Sequence, residues 1–215
     1  MTDRTDNIWR NAWDRNPALV QLLGLCPLLA VTSTVVNGLV LGLATCVVLT
    51  ATNSAISLLR HTIAPAVRIP MFVLIIAAVV TSVDLLLNAY FNDIYQILGL
   101  FVPLIVTNCA ILGQAESIAS RNGLRVSAAA GLGAGIGFMG TLVALGAIRE
   151  VLGRGSLFAG FEMLLGPSGS VVEIQLPIDG ALAAVLPPGA FFGLAVLVAG
   201  RQAYLNRRER ERRER

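Results

Sequence analysis

Long uncharged stretches, separated by short clusters of arginine and acid, set the pattern of this chain. Asn16 to Leu59 holds no Asp, Glu, Lys or Arg across 44 residues, room for two membrane helices of about 20 residues each. Ile94 to Ala115, Val126 to Ile148 and Gly180 to Gly200 are likewise uncharged, and Ile69 to Phe91 is interrupted only by Asp84. The apolar positions run continuously rather than alternating, which excludes a membrane β-barrel and predicts helices. The expected fold is an all-α integral membrane protein of six transmembrane helices.

Two of these segments are copies of one another. Gln21 to Gly38 reads QLLGLCPLLAVTSTVVNG and Gln96 to Gly113 reads QILGLFVPLIVTNCAILG, agreeing without a gap at eight of eighteen positions, offset by 75. The first copy opens helix one and the second opens helix four. Three crossings separate them, so the copies run in opposite directions through the bilayer. Two inverted three-helix halves follow, about 17–91 and 92–200, an arrangement whose functional sites lie near the midplane at discontinuous helices. Pro27 and Pro103 each lack an N–H and disfavour helical backbone at Cys26 and Val102. Helices one and four are therefore expected to break at these prolines. Non-helical backbone at such depth must be covered by protein or line a cavity, so Cys26 and Cys109 are expected to face a protein interior.

Composition agrees with the pattern: 55% of the 215 residues are hydrophobic, 13% are charged, and the mean hydropathy is +0.74, too apolar for a soluble domain. All sixteen basic residues are arginine. With a cytoplasmic N-terminus, fourteen lie inside and two, Arg149 and Arg154, outside, so the positive-inside rule puts both termini in the cytoplasm. Segment 1–16 carries three Asp against three Arg, and no small-residue cleavage site ends the apolar run after it, unlike a cleavable signal peptide. Within the tail, 201–215, RRERERRER carries six Arg and three Glu and so matches the whole net charge of +3. It reads as a solvated helical tail, or as a tether to anionic lipid or a partner. The 149–179 stretch reads as one long outside loop with a partly amphipathic segment near 157–165.

Few residues remain that could carry chemistry. Gly135, Gly137 and Gly140 spell G-x-G-x-x-G, but no strand precedes them and the run is uncharged, so nucleotide binding is excluded. Gly133 and Gly137 read instead as small-xxx-small helix packing. Asp84 is the one acid well inside a span, where an unpaired charge costs about 2.5–3.5 kcal/mol; it is protonated, paired, or part of an ion path. Glu116, near the cytoplasmic end of helix four, is a second ion-path candidate. His61 reads as structural or solvated, and one histidine cannot build a multi-His metal site. Cys46 reads as a small buried residue. Cys26 and Cys109 are buried small residues, a disulfide, or half of a shared metal site. Two thiols do not complete a zinc or iron–sulfur site, but a [2Fe–2S] centre with two cysteines from each of two chains suits them.

LGLCPLLAVT, RIPMFVLIIAAVVTSVDLLLNAYF, IYQILGLFVPLIVTNCAILGQAES and GAIREVLGRGSLFAG resemble the E-subunit family of the Rnf (Rsx) complex over about 16–200. The D subunit of the sodium-pumping NADH:quinone reductase (Nqr) is homologous and is the nearest alternative. The resemblance implies a membrane subunit of a ferredoxin:NAD oxidoreductase in the bacterial inner membrane, coupled to Na+ or H+ translocation. It implies pairing with a paralogous six-helix partner, the A subunit of Rnf, each of the two giving two cysteines to an intramembrane [2Fe–2S] cluster. Here those positions match Cys26 and Cys109, with no separate catalytic site on this chain. A secondary transporter is the alternative from another class, since carriers share inverted repeats with broken helices. Its breaks would carry polar ligands, whereas these carry Cys, Pro, Val and Thr.

Overall fold

A computed structural model describes residues 16–90, 95, 99, 101–157, 174–175 and 182–213, and these are predominantly helical. Three helices among the described residues are long and apolar enough to cross a membrane. They are α2 (Val35–Leu59), α3 (Arg68–Tyr90, entered through a 3-10 turn, Pro65–Val67) and α6 (Leu124–Arg154). The other apolar runs are segmented into shorter helices. α1 (Leu25–Val31) precedes α2, while α4 (Pro103–Val106) and α5 (Cys109–Gln114) lead into a π-helical turn, Ala115–Ala119. α7 (Leu182–Val185) precedes α8 (Pro187–Arg213), which carries the sixth apolar run into the arginine-rich tail as one helix. After α6, strand β1 (Ser156–Leu157) pairs antiparallel with β2 (Ile174–Gln175). The N-terminal segment up to residue 15 and residues 158–165 of the expected amphipathic stretch lie outside the described residues.

α2 and α6 form the central antiparallel pair, and glycine sets how closely they approach. A Cβ on Gly135 would lie 2.7 Å from Cys46 Cα, one on Gly38 2.9 Å from the Leu142 carbonyl, and one on Gly146 2.9 Å from the Thr34 carbonyl. Each is too short for any larger residue, so small residues let the backbones pack, as in membrane helix pairs generally. Small-residue packing on α6 is seen in the close approaches at Gly131, Gly135 and Gly146. On one flank, Leu28, Phe138, Leu142 and Leu145 form a buried cluster. On the other, α3 packs Ile76 and Val80 against Leu41, Val48, Ile105 and Ile111.

Both repeat copies break, one turn beyond where the prolines suggest. Pro27 lies in the first turn of α1 and Pro103 starts α4, positions where a missing N–H costs nothing. The helices end instead at Val31 and Val106, equivalent residues at the repeat offset of 75. The threonine that follows each turns its hydroxyl back onto a freed carbonyl: Thr32 Oγ1 donates to Leu28 O at 2.6 Å and Thr107 Oγ1 to Leu104 O at 3.3 Å. The next helices are capped by side chains, with Thr34 accepting from Asn37 N and Asn108 from Ala110 N. Capping satisfies amides that no preceding turn can reach.

Charged groups from α6 complete the first break. The Arg149 guanidinium donates to Leu29 O (3.3 Å) and Thr32 Oγ1 (2.9 Å) at the end of α1. It also donates to Ala184 O (3.2 Å) and Val185 O at the end of α7. Next to it, Glu150 accepts from Val35 N, at the start of α2, at 2.8 Å. A cation on two helix C-termini and an anion at an N-terminus each complement the local dipole. This corrects the reading of Arg149 as a loop charge: α6 continues to Arg154, and Arg149 and Glu150 are both buried. Arg149→Met leaves several part-buried carbonyls without donors, at a total of about 2–3 kcal/mol. The melting temperature of the detergent-extracted protein should fall by roughly 5–10 °C, at about 2–4 °C per kcal/mol for a chain of this size. An unchanged melting temperature would mean water replaces the guanidinium.

Candidate functional site

Cys26 is the second residue of α1 and Cys109 the first of α5. The two helix starts meet beside the middle of α6. Gly24, with φ 77°, turns the chain into α1 in the left-handed conformation that glycine adopts without strain. A Cβ there would lie 2.7 Å from Asn108 Oδ1 and 2.8 Å from the ring of Phe138, close to the centre of α6. The residue two before Cys26 thus rests on the residue just before Cys109.

All three cysteines are free thiols, so no disulfide joins them. Cys26 and Cys109 are exposed on the chain's surface, which corrects the expectation that they face its interior. The physical reason is the position of the breaks. At the first break protein covers Val31 and Thr32, and Cys26 lies more than a turn before them; at the second, Thr107 itself is exposed on the same surface as Cys109. Nor are the cysteines equivalent in the repeat: Cys26 aligns with Phe101 and Cys109 with Thr34. Cys46 is half-buried against Gly135, its sulfur 3.9 Å from Leu132 O, in keeping with a packing role.

A groove of 380 Å³ opens beside Cys109 and is lined by Leu23, Thr107, Asn108, Cys109, Gly113 and Glu116, among others. It brings Cys109 and Glu116, which is exposed on the π-helical turn, onto one surface. Cys26 and Asp84 do not line it. Asp84 continues the row Phe72, Ile76, Val80 along the packed face of α3 and is half-buried. Its Oδ1 is buried without a hydrogen-bond partner, as are Asn108 Nδ2 and Gln114 Oε1. His61 is exposed and accepts from Arg60 Nε at 3.1 Å. Among the described residues no three His, Cys, Asp or Glu side chains converge to hold a metal ion. A cluster with four cysteine ligands would therefore need donors from another chain.

Sequence reasoning missed Arg149, Glu150 and Asn108. The Arg-Glu pair adjoins the end of an uncharged run, and Asn108 directly precedes a helical segment, a common cap pattern. Asn16 was missed as well: its side chain bonds Gly137 O at 2.9 Å and ties the entry to α1 onto α6.

A family model described as "Rnf-Nqr subunit, membrane protein" matches residues 5–198. Three similar relatives are each named as the E subunit of an ion-translocating oxidoreductase complex. The protein from Pseudoalteromonas atlantica is 53% identical over 204 residues, covering 94% of this chain and 88% of its own length. That from Shewanella amazonensis is 50% identical over 211 residues, with 97% and 91% covered. That from Rhodobacter capsulatus is 56% identical over 189 residues, with 87% and 78% covered.

Thiol exposure has a direct check. In the chain separated into detergent, maleimide should label Cys26 and Cys109 well ahead of Cys46, because access controls thiol reactivity. Equal rates at all three would contradict this placement.

Proposed function

The chain belongs to the Rnf-Nqr family of membrane subunits, and we propose that it is the E subunit of a bacterial Rnf-type ion-translocating ferredoxin:NAD oxidoreductase complex. In this reading it relays electrons through a [2Fe–2S] cluster shared with the paralogous A subunit and contributes to Na+ or H+ translocation. One observation carries the proposal: two exposed thiols begin two short helices that meet, through Gly24 and Asn108, beside the centre of α6. A shared cluster needs thiols that a second chain can reach, and the donor set among the described residues here is two cysteines.

When bound, the cluster supplies one-electron transfer at a fixed point. The chain's own residues do the rest. Cys26 and Cys109 bind as thiolates, whose charge in hydrocarbon is offset by ligation. Asn108, through its cap on Ala110 N, fixes the start of α5 and with it Cys109. The left-handed turn at Gly24 fixes the approach to Cys26. Asp84 and Glu116 are the proposed ion-path carboxylates, Asp84 from the packed face of α3 and Glu116 from the groove beside Cys109. The proposed fold is six spans in two inverted halves, supported by the equivalent breaks after Val31 and Val106. Both termini are cytoplasmic in this scheme, in the bacterial inner membrane, on the arginine distribution. NAD, flavin and further clusters are left to other members of the complex.

In the intact complex, Cys26→Ser or Cys109→Ser should abolish the reduced cluster's paramagnetic signal and stop electron transfer, while Cys46→Ser preserves both. A full signal in either of the first two variants would end the shared-cluster reading. Asp84→Asn should lower the membrane potential generated per electron and leave that signal intact. Unaltered coupling would reassign Asp84 to structural hydrogen bonding.

A further inference from the structure

The connection between α2 and α3 forms a cavity that the redox reading leaves unused. Arg60 caps the end of α2, Arg68 begins α3, and a cavity of 180 Å³ lies between them, walled by Ile63, Pro65, Phe72 and Ser120. The Arg68 guanidinium lies 5.7 Å from the centre of the Phe72 ring, a cation–π distance that holds it at the cavity wall. Arg60 is steadied by its bond to His61. Neither guanidinium meets a carboxylate among the described residues. Ser120 Oγ is engaged with the Glu116 carbonyl, and no acid lines the cavity. Two unpaired guanidiniums on apolar walls form a receptor for an anion, since their planar donors match phosphate oxygens in pairs.

The surroundings say where that anion comes from. α2 and α3 both have the length and hydropathy of membrane spans, so the short connection between them lies at a membrane–water boundary. Next in sequence to the residues that line the cavity, Leu58, Leu59, Val67, Ile69 and Met71 are exposed. Charge at the boundary with bare hydrocarbon one turn deeper is the profile of a phospholipid, not of a free phosphate. A zwitterionic headgroup would bring an ammonium that finds no acid in the cavity. We infer that Arg60 and Arg68 bind the phosphodiester of an anionic phospholipid of the phosphatidylglycerol or cardiolipin class, its acyl chains lying along the exposed apolar side chains.

The intact complex in nanodiscs, supplied with photoreactive phosphatidylglycerol and mapped by peptide mass, tests the site. Label should fall within residues 58–72. Unlabelled phosphatidylglycerol should compete for it, and phosphatidylcholine or inorganic phosphate should not. Arg60→Gln with Arg68→Gln should cut the label roughly thirtyfold, as loss of two interfacial cations implies, while Lys at both positions should retain most of it. Label elsewhere on the unaltered chain only, or equal label in the Gln pair, overturns the inference. Competition by inorganic phosphate would assign the site to a free anion, and competition by phosphatidylcholine would reduce it to apolar contact; either result also overturns it.

Discussion

Backbone N–H and C=O groups released by a break inside a membrane helix have no water to turn to, and each left bare costs several kcal/mol. That constraint governs this chain, because two of its apolar segments are broken. The first break takes Thr32, Thr34, Arg149 and Glu150 to close, and two of these come from α6, over a hundred residues away in sequence. A guanidinium and a carboxylate here do work that an ordinary span leaves to its own hydrogen-bond ladder. They are tolerated near the hydrocarbon edge because each is engaged at a helix end, Arg149 with carbonyls and Glu150 with the Val35 amide. Arg149 is ten residues from the middle of α6, or about 15 Å at the helical rise.

α6 thus holds α1 at two heights. Near its centre, Phe138 closes on Gly24 and the carbonyl of Gly137 takes the Asn16 amide; near its end, Arg149 takes the carbonyls where α1 finishes. A seven-residue helix has little stability of its own, so α1 keeps its place only because both ends are fastened to one rigid neighbour. The rigidity of that neighbour comes from the glycine-lined contact with α2. Replacing any of those glycines would separate the helices and pull Arg149 and Glu150 away from the break. Packing at the seam, satisfaction of the broken backbone and the position of Cys26 are thus one mechanical unit.

How much of this was legible in the sequence divides along physical lines. Uncharged runs and the 75-residue repeat depend on local composition, and they located the three long apolar helices and the broken segments. The exact site of each break was hidden, because proline reads as the stronger signal. A proline in a first helical turn is harmless, and the decisive residues were the threonines after Val31 and Val106, which act only once their helices exist. Arg149 and Glu150 look like loop charges because hydropathy cannot register a charge neutralised by distant carbonyls. Exposure of Cys26 and Cys109 was misjudged for a related reason: Cys26 lies before the covered Val31–Thr32 segment, and the second break leaves Thr107 exposed beside Cys109.

Native proteins satisfy nearly all their buried polar atoms, which gives weight to where this chain does not. Among the described residues Asp84 Oδ1, Asn108 Nδ2 and Gln114 Oε1 belong to the α3 to α5 side, and Thr52 Oγ1 and Asn53 Oδ1 to the α2 face that meets α6. The α3 to α5 side also presents Cys109 and the open groove, and α3 buries only a narrow row of its residues. On the α1–α6 side, by contrast, Asn16, Thr32, Arg149 and Glu150 are all engaged. The chain is closed where α6 supports the break and open where α3 to α5 carry polar atoms and a thiol. In the proposed assembly that open side is where a second chain contributes most, since it can cover hydrocarbon and complete a thiolate site through a single contact. The asymmetry also accounts for the unequal repeat positions of the two cysteines: ligation by a neighbour requires each thiol to reach a common outer surface, not to occupy equivalent places within its own half.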